Sequence, residues 1–305
     1  MTGVPPSGVQ FPIVRGEQRA TIVEVGGGVR AYEVGGRRVL DPYRLESACD
    51  GAHGAPLIPW PNRLADGRYR FDGVDYQVAL TEPERHNAIH GLLRWRSWRA
   101  AEREPHRVVM WIRLHPMSGY PFALDVRIAY ELGDDGLTVS TEVTNIGERA
   151  CPYGAGQHPY LSSGNGLIDE CTLEVPADTS ILTDQRRKLP IGHSLVEGTS
   201  VDFRVPRRLG QQSIDAAFTD LARDDHGIAT TRLMRPDGAC AELWVDDHYS
   251  NVEIYTGDEL APDRRRRGLA VEPMTCAPNA FQSGRGLIRL EPGRTLKARW
   301  GARLL

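Results

Sequence analysis

The chain has 305 residues, with 37 Lys and Arg against 40 Asp and Glu, for a formal net charge of −3. Hydrophobic residues make up 40% and charged residues 25%, ordinary proportions for a globular protein long enough to bury its own core. That balance excludes a bulk electrostatic grip on nucleic acid, which needs a basic face, and no run of about 18 apolar residues is present to cross a membrane as a helix.

The N-terminal stretch MTGVPPSGVQFPIVRGEQ lacks the apolar segment of a signal peptide, so a soluble, cytoplasmic protein is expected. Beyond it, hydrophobic residues recur at period 2. Residues 21–25 and 30–34 flank Gly26-Gly27-Gly28, and residues 68–78 fold about Asp72-Gly73. Residues 107–114 alternate again. Leu124, Val126, Ile128, Tyr130 and Leu132 then lead into Gly133-Asp134-Asp135-Gly136, after which Leu137, Val139, Thr141 and Val143 resume the pattern. Two alternating runs about a Gly/Asp turn read as a β-hairpin with one buried face. The same grammar recurs at 241–256, and at 286–300 around Pro292-Gly293. Residues 214–223 are the best candidate for a short helical turn, or else a loop. With no linker, repeat or composition break, the expectation is one all-β domain over residues 1–305, a large antiparallel sandwich or barrel.

Cys49, Cys151, Cys171, Cys240 and Cys276 are odd in number and scattered, with no CxxC pair, which argues against a disulfide framework and a structural zinc site. There is no GxGxxG before a helix, no GxxxxGK[ST], no HExxH and no GxSxG, so neither a cofactor nor a metal is expected. The run Arg264–Arg267 reads as a solvated loop, with an anionic substrate as the other option.

Four segments depart from the alternating grammar. Two prolines clamp Pro59-Trp60-Pro61-Asn62-Arg63-Leu64, which presents Asn62 and Arg63 as hydrogen-bond donors. Ile89-His90-Gly91 follows, with Trp95 and Trp98 close behind. In Gly154-Ala155-Gly156-Gln157-His158-Pro159-Tyr160, glycines allow close approach to the backbone and the proline fixes the chain after the histidine. In Val271-Glu272-Pro273-Met274-Thr275, a glutamate among apolar residues is expected to be partly buried, which raises its pKa. Taken singly, each reads equally well as turn chemistry at a strand end.

As an ordered set, NRL-x2-G-x-[YF]-x-[FL]-x-G, HG, HPY and EPxTxxPNAF resemble the aldose 1-epimerases, or galactose mutarotase-like proteins, from about Ala20 to the C-terminus. The resemblance implies an all-β fold, a large antiparallel β-sandwich of the supersandwich type. It implies Glu272 as general base and His158 as general acid, and Arg63, His90 and Asp215 as residues that hold the sugar. Asn62 and Tyr160 would help to line the pocket. The implied reaction interconverts the α and β anomers of a free hexose by ring opening and closure, without cofactor or metal. The partner is then a small-molecule aldose, with no nucleic acid or membrane, on a monomer or homodimer.

Two departures bear on the substrate. The chain reads His90-Gly91-Leu92-Leu93 where galactose-type members read His-Gly-Gly, a wording nearer a bacterial side branch acting on other hexoses, including sulfonated or phosphorylated ones. Glu253 stands ahead of Tyr255-Thr256-Gly257 where galactose enzymes tend to carry glutamine. A non-catalytic sugar-binding sandwich and a different reaction on the same scaffold are the alternatives.

Overall fold

The computed structural model describes residues 3–305. Alternation in the sequence becomes alternation across a sheet. Leu124–Gly133 pairs antiparallel with Gly136–Asn145, in a register that sets Tyr130 opposite Val139 and Val126 opposite Val143. Leu124, Val126, Ile128, Tyr130 and Leu132 are all fully buried on one face. The strands on either side of Gly26-Gly27-Gly28 and of Asp72-Gly73 also follow the sequence reading. Gly27 has φ +65°, and a Cβ there would meet the Trp98 ring at 2.5 Å, so close packing, not phosphate binding, explains that glycine turn.

Two large antiparallel sheets, of twelve and nine strands, enclose one main apolar core. Residues from both contribute: Ile22, Tyr32, Leu161, Phe218, Ile254 and Val271 from the larger, Val126, Ile128, Tyr130, Leu243 and Trp300 from the smaller. Buried polar groups bridge the two. Gln157 donates through Nε2 to the Tyr130 hydroxyl (2.8 Å) and to Gly54 O (3.1 Å), and accepts from Trp300 Nε1 at 3.0 Å. The Tyr130 hydroxyl donates in turn to Gly27 O at 2.8 Å. Every polar atom in this strut has a partner, as burial requires.

Four readings are corrected. Segment 214–223 is neither helix nor loop: Asp215–Leu221 is an interior strand of the larger sheet, paired with Ala177–Thr183 on one side and Asn251–Tyr255 on the other. Phe218 enters the main core while Ala217 packs on the opposite face with Ile181, Met274 and Ala277. With both faces covered, the strand loses strict alternation. Within 241–256, Cys240–Val245 and Asn251–Tyr255 are not a hairpin; the chain crosses from the smaller sheet to the larger between them. Within 286–300, Ile288–Leu290 pairs with Cys151–Tyr153, whereas Thr295–Leu304 joins the smaller sheet. The Arg264–Arg267 run is also more than a solvated loop. Arg264 bonds to Asp41 (3.2 Å), and Arg266 pairs with Asp169 (2.7 Å) and Asp258 (2.8 Å), while Arg265 and Arg267 face outward.

Tyr130→Phe removes the hydroxyl that links the sheets while keeping the ring. It should lower stability by about 1–3 kcal/mol, read as a reduced urea midpoint with unchanged m value.

Candidate active site

Four adjacent strands of the larger sheet carry much of the site: Tyr160–Ser162, Gly268–Met274, Asn251–Tyr255 and Asp215–Leu221. Their registers align side chains into two cross-strand rows. One runs Tyr160, Ala270, Tyr255, Asp215; the other runs Glu272, Glu253, Ala217. Opposite residues share a face and residues two apart along a strand share it too. Both rows therefore project from the face opposite to Ile254, Val271 and Phe218, which fill the core.

Chain segments packed on that face complete a cavity of about 420 Å³, lined by Asn62, Arg63, His90, His158, Asp215 and Glu272 among others. His158 is fixed by its backbone: its N–H donates to Ala55 O (3.1 Å) and its carbonyl accepts from Gly54 N (2.8 Å). Its Nε2 lies 3.0 Å from Glu272 Oε1, and the two side chains are only 6% and 3% exposed. His90 has φ +64°, its N–H donates to Asn62 O at 3.0 Å, and its ring meets that of His158 edge-on at 5.3 Å. Gly91 must be a glycine, because with φ +69° a Cβ would sit 2.1 Å from Ile58 O.

Asn62 and Arg63 are held from several sides. Asn62 has φ +54°; its Oδ1 accepts from Arg63 N at 2.7 Å and its Nδ2 donates to Glu253 Oε2 at 3.2 Å. The Arg63 guanidinium donates to both oxygens of Glu82, at 3.0–3.2 Å. Asn279 secures the strand beneath: its N–H donates to Arg63 O (2.8 Å) and its Oδ1 accepts from Ala65 N (3.1 Å). The Asn-Arg-Leu and Pro-Asn-Ala-Phe segments, far apart in sequence, are one structural unit.

Tyr160 lines the pocket differently from the others. Its hydroxyl donates to Gly51 O at 2.8 Å, and its ring is stacked between His53 (3.7 Å) and His158 (5.0 Å). It orients the imidazole by packing. Asp215 is the most open of these groups, its side chain 23% exposed with Lys188 Nζ at 3.7 Å.

Burial dominates the electrostatics. It pushes the Glu272 carboxyl well above its ordinary 4.5, reinforced by the charge of Asp215 and opposed by Arg63. It pulls His158 down to about 3, with His53 and Arg94 adding to the effect and a bond to its own backbone opposing it. His90 is lowered likewise, by burial first and then by His158, Arg94 and Arg63. Burial thus favours the neutral form of both members of the His158–Glu272 pair. Ligand atoms of His90, His158 and Glu272 lie within 4.8 Å of one another, so these residues also have the donor chemistry for a divalent cation.

The structure brings together all seven residues singled out from the sequence. Glu82, which orients Arg63, was not among them. It lies in a loop beside Pro83, where an acidic residue reads as solvent-facing, and nothing local signals its ion pair with a residue 19 positions earlier. Gln157 and His53, which support His158 and Tyr160, gave no separate signal either.

A family model described as aldose 1-epimerase matches residues 13–302. The chain is 35% identical over 295 residues to the uncharacterized protein YihR of Escherichia coli (strain K12), covering 96% of this chain and 92% of that one. It is 28% identical over 237 residues to the galactose mutarotase of Homo sapiens, covering 72% and 66%. Among solved structures, a GalM/aldose epimerase homologue from C. elegans superposes with TM-score 0.86 at 17% identity, covering 97% of this chain and 98% of that one. The galactose 1-epimerase from Lactobacillus acidophilus NCFM gives TM-score 0.79 at 17% identity, covering 95% and 91%.

Removing the partner of a buried guanidinium leaves an uncompensated charge. Glu82→Ala should therefore cost about 3–5 kcal/mol of stability, measured by denaturant unfolding. Any folded fraction should bind its ligand more weakly through the freed Arg63.

Proposed function

The chain belongs to the aldose 1-epimerase family, and from that premise we propose that it interconverts the α and β anomers of a free hexose. The observation that carries the reading is the buried His158–Glu272 pair, 3.0 Å apart, at the wall of a cavity also lined by Arg63, His90 and Asp215.

On this reading the pair carries a single proton between its two members, which suits a reaction that needs an acid and a base at once. When the C1 hydroxyl donates to Glu272, that hydrogen bond favours the carboxylate, and the shared proton passes to His158. Glu272 then takes the hydroxyl proton while His158 protonates the ring oxygen, and the C1–O5 bond breaks to give the open-chain aldehyde. After rotation about C1–C2, the O5 hydroxyl adds to the other face of the carbonyl and returns its proton to His158. Glu272 protonates the new O1. The enzyme enters and leaves with one proton on the pair. Arg63, His90 and Asp215 hold the remaining hydroxyls so that both transfers stay aligned.

A second reading of the substrate is favoured by Arg94. Its guanidinium lines the cavity, stacks on the half-exposed Trp95 ring at 4.9 Å, and has no ion pair among the described residues. An unpaired cation in a sugar pocket suits a hexose with an anionic substituent. If so, a phosphorylated or sulfonated hexose should be epimerised with a lower KM than glucose, and Arg94→Ala should abolish that preference.

The test is the approach of freshly dissolved α-D-glucose, α-D-galactose and α-glucose 6-phosphate to anomeric equilibrium, followed by NMR of the C1 proton. Glu272→Gln should lose about 10²–10⁴-fold of the acceleration while retaining sugar binding; an undiminished variant would sink the assignment. Binding without acceleration by the native protein would leave a sugar-binding module in its place.

The pH dependence follows from the pair. Activity is lost when a second proton is added, on the acid side, and when the shared proton is removed, on the alkaline side. Burial places His158 at about 3, so the acid limb of kcat/KM should lie well below the 6.5 of a free imidazole. A limb centred at 6.5 would mean an independently titrating histidine and would overturn the shared-proton scheme.

A further inference from the structure

The loop between strands Ala177–Thr183 and Pro190–Leu195 is tied to the same unit that holds Arg63, and the proposed reaction gives it no role. Inside the loop, the Asp184 carboxylate accepts from the backbone N–H groups of Arg186 (3.0 Å), Arg187 (2.6 Å) and Leu189 (3.0 Å). The Arg187 guanidinium donates across to Asp66 Oδ1 (2.9 Å) and to the carbonyls of Arg85 (3.1 Å) and His86 (2.8 Å). Asn87 closes the connection. Its Nδ2 donates to Arg187 O at 3.0 Å and to Glu82 Oε2 at 2.9 Å, the carboxylate that grips Arg63. Between these anchors stands Lys188, with φ +58°. A left-handed backbone is costly for a lysine and persists only where the surroundings impose it. The result is that Lys188 Nζ lies 3.7 Å from Asp215 Oδ2, the two side chains being 22% and 23% exposed. An ion pair this open to solvent contributes little to stability, so folding alone does not account for it.

We infer that Lys188 is a further substrate-binding residue, which forms with Asp215 a donor–acceptor pair that takes two adjacent hydroxyls of the sugar. The inference rests on the sugar-binding reading of the cavity. At 3.7 Å the two groups attract by charge but stand beyond hydrogen-bond range, so both keep bonding capacity for a ligand. An ammonium offers three donors and a carboxylate offers only acceptors. One hydroxyl can therefore donate to Asp215 while its neighbour on the next ring carbon accepts from Lys188, and both bonds are charge-assisted. The residue type fits this task. Of the 37 Lys and Arg in the chain, only Lys188 and Lys297 are lysines. The cations that line the cavity, Arg63 and Arg94, present planar forks that match oxyanions, whereas a compact ammonium on a flexible stem suits single hydroxyl oxygens.

The test compares the full-length native protein with Lys188→Met, which keeps the stem and removes the ammonium, and with Lys188→Gly, which accepts the left-handed backbone without strain and secures a folded variant. The substrates are D-glucose or D-galactose, whichever is accelerated more, and the 2-, 3-, 4- and 6-deoxy forms of that sugar. Both variants should raise KM for the parent sugar about tenfold, with kcat within about threefold of native. The native protein should discriminate against the deoxy sugar that lacks the hydroxyl bound by Lys188, and in both variants that discrimination should vanish. Asp215→Ala should erase discrimination at a neighbouring carbon. An unchanged KM would overturn the inference. So would an equal loss on the parent sugar and all four deoxy forms, the mark of a merely structural role. If the native protein accelerates no sugar, the epimerase reading fails by itself, and affinities from calorimetry replace KM in the same comparison. A native protein that binds none of these sugars would overturn both.

Discussion

The His158 and Glu272 side chains are only 6% and 3% exposed, and this burial shapes everything that surrounds them. A charge moved out of water must find a partner or give up its charge. Arg94 apart, the ionisable groups around the His158–Glu272 pair each have one of these solutions. Arg63 is matched by Glu82 with three hydrogen bonds. His158 Nε2 and Glu272 Oε1 face each other across 3.0 Å, and burial favours the neutral form of each. His90 is held neutral by its surroundings. Asp215 keeps some contact with solvent and a nearby lysine. The same burial that imposes these pairings strengthens each hydrogen bond made to a bound ligand.

The sandwich is what allows a sheet to bear so many acids. One face of the larger sheet is committed to the core through Ile254, Val271, Leu161 and Phe218. The other is free to carry Glu272, Glu253, Asp215 and Tyr160 at fixed cross-strand spacing. Backbone pairing sets those separations, so no long side-chain reach is needed and little rotamer entropy is lost when a ligand binds. His158 comes from a short connection whose neighbour, Gln157, points into the core and is gripped by Tyr130 and Trp300 of the opposite sheet. The two sheets are thereby coupled to the site through hydrogen bonds as well as apolar contact.

Much of this was legible from the sequence, and the pattern of misses has physical causes. Alternation revealed the strand Leu124–Gly133 and its partner because one face is buried and the other is wet. It failed for Asp215–Leu221, where Ala217 on the outer face is as buried as Phe218 on the inner one, so the alternation is broken at its centre. It also misassigned 241–256 and 286–300, because alternation reports a strand and a turn but not which strand the next one pairs with. The candidate site residues other than Asp215 were legible as ordered motifs, since each lies in a segment where proline, glycine or a left-handed backbone interrupts the sheet; Asp215, in a regular strand, was implied only by the family resemblance. Glu82, Gln157, Arg264 and Arg266 were not legible. Their importance comes from partners distant in sequence, and a charged or amide side chain viewed alone is indistinguishable from one that faces solvent.

Bifunctional proton transfer sets one further condition on such a site. The donor and acceptor must exchange a proton with the substrate and recover it within the same cycle, so nearby groups must not compete for it. Carboxyls that share one sheet face raise one another's proton affinity, and burial adds to this, so that Glu253 and Glu272 both stand well above the ordinary 4.5. Asn62 donates to Glu253 Oε2 at 3.2 Å and fixes that carboxyl in place. The burial that raises Glu272 thus acts on its cross-strand neighbour as well.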